Sequence, residues 1–264
     1  MPGGIHGSKL GRVLAALCLS AALAACAANG EQTEEEELFG YEEPNDPLET
    51  PNRFVFAFND AVDFAVIKPT ASTYRFLLPQ EFRDLVRNFA RHIGLPVVIA
   101  NNLLQGQWDR AEDSAARLLV NSVTLGLGDL VPERHPYHRE DFGQTLAVWG
   151  ADDGFYLVLP ILGPSSARDG TGKLVDIFLD PLTYVDGTTT FSLATRAAEG
   201  VDFRARNIET LEEIRRDSVD FYARMRSLYY QRRQVEIENG GVETPAFPGY
   251  SEQSAPGETA ELEN

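Results

Sequence analysis

Between Asn52 and Gln234 the apolar positions recur mostly at helical spacing. The first such stretch, Asn52 to about Ile67, places Asn52, Arg53, Asn59, Asp60 and Asp63 within about a third of the circumference at 100° per residue. Phe54, Val55, Ala57, Phe58, Phe64 and Val66 cover the rest, and Phe56 alone sits among the polar residues. So broad an apolar surface suits a helix central in the core or one lying in a lipid interface. Lys68-Pro69 predicts its end. Phe82, Leu85, Val86, Phe89, Ala90 and Ile93 then predict a helix over 80–93 with an ordinary core face. Arg83, Arg87 and Arg91 form a ridge on another side, solvated or paired with acids. Gly94-Leu95-Pro96 reads as a break before a short helix, Val97 to Leu104, that ends at Gln105-Gly106. Asp109 with Glu112 suggests a capping box for Arg110 to Leu125, which Gly126-Leu127-Gly128 stops. Leu174 to Leu179 predicts a short helix stopped by Asp180-Pro181. Ser192 to about Gln234 reads as helical, with Gly200 as its weak point and Tyr222, Met225, Leu228 and Tyr229 on one face.

The stretch from Glu140 to Gly172 differs. A polar entry (Glu140, Asp141, Gln144) leads into an apolar arm, Leu146 to Trp149. The turn signal Gly150-Ala151-Asp152-Asp153-Gly154 follows, then a second apolar arm, Phe155 to Leu162. Two apolar arms about a Gly/Asp turn predict a hairpin. Neither arm alternates strictly, so protein or lipid should cover both faces. Pro160 lacks an amide donor and bars the second arm from being a regular central strand.

Charge separates the ends of the chain from its middle. Of a net charge of -17, residues 27–50 hold nine acids and no base, and residues 231–264 hold seven acids and two bases. With two bases before residue 26, residues 51–230 keep 24 acids and 19 bases. Acidic tails of this composition are expected to be solvated and disordered. No basic face invites nucleic acid. Lys9 and Arg12 precede an apolar run, Val13 to Ala25, too short to span a bilayer and typical of a signal peptide. It ends Leu23-Ala24-Ala25-Cys26, small residues before a cysteine, which is similar to a bacterial lipobox with Cys26 as the lipidated first residue. An ordinary secretory cleavage near the same alanines is the alternative. Loss of Cys18 leaves one cysteine and no internal disulfide. Several acyl chains at about 0.8 kcal/mol per buried methylene make a stable anchor. Ala27 follows the cysteine, where an Asp would resemble an inner-membrane retention signal, so the outer membrane is expected.

Candidate chemistry is sparse. His135 and His138 form H-x-x-H without an adjacent Glu or a thiolate, and two loop histidines are read as solvated; no metal or other cofactor is expected. Ser165-Ser166 lacks the context of a nucleophile elbow, and no Ser/His/acid set stands out, so no catalytic residue is assigned.

In order along the chain stand Asp46-Pro47-Leu48-Glu49-Thr50-Pro51-Asn52-Arg53, Phe58-Asn59, Lys68-Pro69, Leu104-Gln105-Gly106, Asp141-Phe142-Gly143-Gln144-Thr145-Leu146, Leu159-Pro160, Gly163-Pro164-Ser165, Arg168-Asp169-Gly170 and Tyr230-Gln231-Arg232. Each is weak alone; together, at this spacing, the chain resembles the VacJ/MlaA family of outer-membrane lipoproteins. The resemblance implies a mostly α fold, a single ring-like helical domain with a short central hairpin and disordered acidic tails. The segments are then a signal peptide (1–25), an acidic linker (26–45), the folded domain (46–241) and an acidic tail (242–264). It further implies a body lying in the periplasmic leaflet of the outer membrane beside a porin trimer. An amphipathic channel would take phospholipids misplaced in the outer leaflet to the periplasmic carrier MlaC, without covalent chemistry. Phe54, Phe58 and Asn59 would then belong to a membrane and channel helix, and Gly150, Gly154 and Phe155 to a mobile channel hairpin. Asp152-Asp153 stands at the hairpin tip where the family commonly has glycine. A lipoprotein that only tethers a porin, and a lipid hydrolase, are the other classes considered.

Overall fold

Residues 45–238 are described by the structure, a computed structural model. They form nine α-helices and one two-stranded sheet. Cys26 and both acidic tails lie outside the described residues.

α1 (Glu49–Val62) does not stop at Lys68-Pro69. A π turn, Asp63–Ile67, carries it into α2 (Lys68–Leu77), and the Lys68 amide reaches back five residues to the Asp63 carbonyl. A proline ring crowds the preceding turn and removes a donor; the wider π turn just before it leaves room. The stop comes at Leu78, which turns extended ahead of Pro79. α3 (Gln80–Leu104) likewise runs unbroken through Gly94-Leu95-Pro96, so the expected break is absent. It is held by α4 (Trp108–Asn121) and a later helix, α7 (Thr189–Arg206), which pack against it and offset the lost hydrogen bond. The expected capping box at Asp109 is also absent. α4 starts two residues earlier than expected, and Asp109 lies in its first turn, where the helix dipole favours a negative charge. The Gly126 stop is real: Leu125 and Gly126 have φ of 56° and 78°, and the Gly126 amide returns to the Asn121 carbonyl at 2.8 Å.

The central stretch departs most from expectation. Its first apolar arm is a helix, α5 (Phe142–Val148), capped by the Asp141 carboxylate on the Gln144 amide at 3.0 Å. The hairpin lies further on, with β1 (Tyr156–Leu159) antiparallel to β2 (Gly163–Ser166) and Leu159 opposite Gly163. Its tip is Pro160-Ile161-Leu162, not Gly150 to Gly154. Pro160 is thereby outside the ladder, where its missing donor costs nothing. Gly150 and Gly154 do take positive φ, 89° and 69°, but in the connection from α5 to β1. After β2 come α6 (Ala167–Leu179), α7, α8 (Ile208–Asp217) and α9 (Phe221–Ile237). The single helix expected over 192–234 is therefore three. Its weak points are Asn207 and the extended residues Ser218 to Asp220, while Gly200 is inside α7.

The interior is inverted relative to a water-soluble protein. Among the described residues 11 apolar side chains are buried against 18 polar or charged ones. Phe54, Phe64, Phe76, Phe82 and Phe178 are exposed. The ordinary core face expected on α3 is thus turned out at Phe82 and Leu85 and in at Ala90. Two arginines of its ridge have partners: Arg87 meets Asp84 one turn back in the same helix at 3.1 Å, and Arg91 lies over the Tyr137 ring. Two small apolar clusters remain, Tyr156–Val158–Tyr222 and Ile214–Leu228.

Candidate functional site

The narrow polar stripe of α1 points inward and splints the hairpin. Asn52 donates to the Tyr156 carbonyl at 2.9 Å and accepts from the Val158 amide at 2.9 Å. Seven residues on, Asn59 donates to the Leu159 carbonyl at 2.9 Å and accepts from the Ile161 amide at 2.7 Å. Seven helical residues rise about 10.5 Å, and three strand residues span about 10 Å. Two asparagines at that spacing therefore match β1 as a partner strand would. Asp46 locks the arrangement to α9, accepting from Asn52 at 2.8 Å, Tyr222 at 2.5 Å and Arg226 at 2.7 Å.

A glycine contact brings the charged groups together. A Cβ on Gly172 of α6 would lie 2.3 Å from the Gly143 amide nitrogen of α5, so only glycine lets these helices cross here. The crossing sets Asp141, at the head of α5, beside Asp169 of α6. Arg233 of α9 enters between them, 2.6 Å from Asp141, 2.7 Å from Asp169 and 3.0 Å from Glu236. Tyr229 donates to Asp169 at 2.5 Å. Burial pushes Asp141 up, but the charge and hydrogen bonds of Arg233, with the Gln144 amide, carry it well below the usual carboxylate range. Behind this cluster, burial raises Asp176 to about 6 although Asn101 and the Phe142 amide both donate to it. Gln105 joins the same layer through Glu140 at 3.0 Å and Thr145 at 3.1 Å.

Asp141, Asp169, Tyr229, Arg233 and Glu236 form one side of a cavity of about 410 Å3 bounded by α1, the π turn, the hairpin and α6 to α9. Its wall is divided. Asp60 pairs with Arg215, Asp63 with Arg204 at 2.8 Å, and Arg232 with Glu236 at 2.8 Å. Lys173 and Arg139 complete the polar lining. Phe56, Ile161, Leu162, Leu211, Met225 and Leu228 line the rest. The wall thus offers charged and hydrocarbon surface side by side, and of the helices that build it α1, α6 and α7 present apolar side chains outward.

Of the residues singled out from sequence, Asn59 lines the cavity; Phe54 and Phe58 do not, and are 78% and 49% exposed on the outer side of α1. Gly150, Gly154 and Phe155 are away from the cavity lining. Asp153 is tied to Arg168 in an ion pair, and the Phe155 carbonyl accepts from the Ala167 amide at 3.0 Å. Sequence reasoning did not single out Arg233, Lys173 or the Gly143–Gly172 contact. The glycines of D-F-G and R-D-G-T-G, each within three residues of an acid, were their local signal. His135 and His138 are not solvated: both turn to Asp113, at 2.8 and 3.6 Å. Among the described residues no His/Cys/Asp/Glu group is arranged to hold a metal ion, and no helix is long and apolar enough to cross a membrane.

Comparison with known proteins matches residues 44–236 to the family described as MlaA lipoprotein. The "Intermembrane phospholipid transport system lipoprotein MlaA" of Haemophilus influenzae is 30% identical over 241 residues, 88% of this chain and 92% of that protein. The protein of the same description from Escherichia coli is 31% identical over 211 residues, 76% of this chain and 81% of its own length. A solved chain from work on the "Structural basis for maintenance of bacterial outer membrane lipid asymmetry" superposes with a TM-score of 0.66 at 29% identity. The match covers 73% of this chain and 98% of the solved one.

Proposed function

The chain belongs to the MlaA lipoprotein family, and from that premise we propose that it carries phospholipid out of the outer leaflet of the outer membrane through its central cavity. It is a component of an intermembrane phospholipid transport system and acts in maintaining membrane lipid asymmetry. In this reading Cys26 anchors it in the periplasmic leaflet, a porin trimer holds it there, and a soluble carrier of the MlaC type receives the lipid. No bond of the lipid is made or broken.

The observation that carries the reading is the inverted polarity. Phe54, Phe64 and Phe76 face out from the same helical run whose Asn59, Asp60 and Asp63 line the cavity. Exposed apolar surface of that extent calls for a nonaqueous neighbour. Inside, a head group crossing hydrocarbon would be desolvated at high cost; a wall of ion pairs offers it partners while Phe56, Leu211 and Met225 meet its chains. Gly150 and Gly154 act as hinges of the connection before β1. Their positive φ gives that connection the backbone freedom glycine allows, while the splinted hairpin sets Ile161 and Leu162 in the cavity wall.

The test is a cavity block. Met225→Trp adds bulk to a partly buried wall residue. In a strain whose own copy is deleted, the variant should be abundant and membrane-bound yet leave phospholipid in the outer leaflet, as the deletion does. Normal lipid asymmetry with this variant as sole copy would refute passage through this cavity. Normal asymmetry in the deletion strain itself would refute the transport role.

A further inference from the structure

The cavity's charges are not all matched. Arg204, Arg215, Arg232 and Arg233 each have a carboxylate within ion-pair distance. Lys173 does not: its ammonium donates to the Ser165 hydroxyl at 2.8 Å and meets no carboxylate within 4.0 Å among the described residues. An ammonium carries three donors, so two remain. Arg139 likewise forms no ion pair among the described residues, although it lines the same space. Six bases against the five acids Asp60, Asp63, Asp141, Asp169 and Glu236 leave the lining with a surplus of one positive charge. Burial, with Arg139 and Arg233 nearby, makes the charged form of Lys173 costly, while Asp169 and Asp141 offset part of that cost. A monoanion placed between Lys173 and Arg139 would remove it.

We propose that Lys173, with Arg139, is the contact point for the phosphodiester of a lipid head group, and that the cavity prefers lipids of net negative charge to zwitterionic ones. This rests on the reading that the cavity takes phospholipid. A phosphodiester supplies one negative charge and two acceptor oxygens, matching the surplus cation and the free donors. A zwitterionic head group brings an ammonium of its own, which the same surplus repels.

The full chain, extracted in mild detergent, is equilibrated with mixed micelles holding equal amounts of phosphatidylglycerol and phosphatidylethanolamine, and bound lipid is counted by native mass spectrometry. The wild type should be enriched in phosphatidylglycerol. Lys173→Gln keeps a donor for Ser165 and should lower phosphatidylglycerol binding about tenfold, the loss of one charged hydrogen bond, and phosphatidylethanolamine binding less, because the same loss relieves repulsion of its ammonium. Lys173→Arg should retain the preference, which separates lost charge from lost folding. Inorganic phosphate should compete poorly; if it displaces phosphatidylglycerol as well as free glycerophosphoglycerol does, the site belongs to a free anion and the proposal falls. Equal binding of both lipids in wild type and Lys173→Gln overturns this inference alone. No bound phospholipid of either kind overturns it together with the transport reading.

Discussion

Arg233→Met tests whether the charged cluster is a structural keystone. Arg233 is buried and meets Asp141, Asp169 and Glu236 at 2.6 to 3.0 Å. Methionine keeps most of the stem and removes the charge, leaving carboxylates from α5, α6 and α9 facing one another. Removing one partner of a buried pair costs about 3–5 kcal/mol. For a domain near 200 residues, each kcal/mol moves the melting midpoint by about 2–4 °C, so the drop should be about 6–20 °C. The pH dependence adds a second signature. In the wild type Asp141 lies below its ordinary range, so its contribution is present at neutral pH and is lost as pH falls through the folded value. In the variant only the Gln144 amide and Arg139 still oppose burial, so the Asp141 carboxylate is held down far less and its contribution at neutral pH shrinks. The gap between the two proteins should therefore narrow from pH 7 toward pH 4. Thermal melts followed by circular dichroism in one detergent across that range measure both effects. Arg233→Lys keeps the charge without the fork and should fall between. A drop below about 3 °C, or a gap that stays constant with pH, would refute the assigned role.

Three further outcomes are expected. Gly172→Ala should destabilise by about 1–3 kcal/mol, read as a lower melting midpoint, because the new methyl meets Gly143 backbone at 2.3 Å; Gly170→Ala, whose Cβ meets nothing nearer than Ser165 at 3.9 Å, should be tolerated. Asn59→Ala leaves the Leu159 carbonyl and Ile161 amide without their partner, at about 1–3 kcal/mol. Limited proteolysis should then cut near Ile161 faster than in wild type, and an unchanged rate would count against the splint. Phe54→Asp should leave the fold intact, since Phe54 is 78% exposed, and weaken liposome binding by about 2–3 kcal/mol. Equal flotation of both proteins with liposomes would place Phe54 outside the membrane.

Local chemistry determined much from the sequence alone. The helical period located most helices, and Gly126 and Asp180-Pro181 ended two of them where expected. The ordered motifs identified the family. Short-range signals were weaker where neighbouring elements could override them. Pro69 and Pro96 read as stops, yet a π turn absorbs one and packing of α3 against α4 and α7 carries the other. Leu146 to Trp149 read as a strand because a short apolar run does not distinguish strand from helix. The Asp141 cap and the Gly143–Gly172 contact decided for helix.

Periodicity also left open which way an amphipathic face points. The same spacing that placed Phe82 and Leu85 on one side and Arg83 and Arg87 on another serves a core or a lipid boundary equally well. A hydrophobic stripe fixes the axis of a helix's asymmetry, and the medium on each side sets its sign. Only the tertiary structure showed that α1 turns Asn52 and Asn59 inward to hold a strand 100 residues away. Only it gathered Asp141, Asp169 and Arg233, distant in sequence, around one cavity. Contacts between residues so far apart depend on how helices cross, and a helix crossing that rests on two glycines leaves little trace in a hydrophobic pattern.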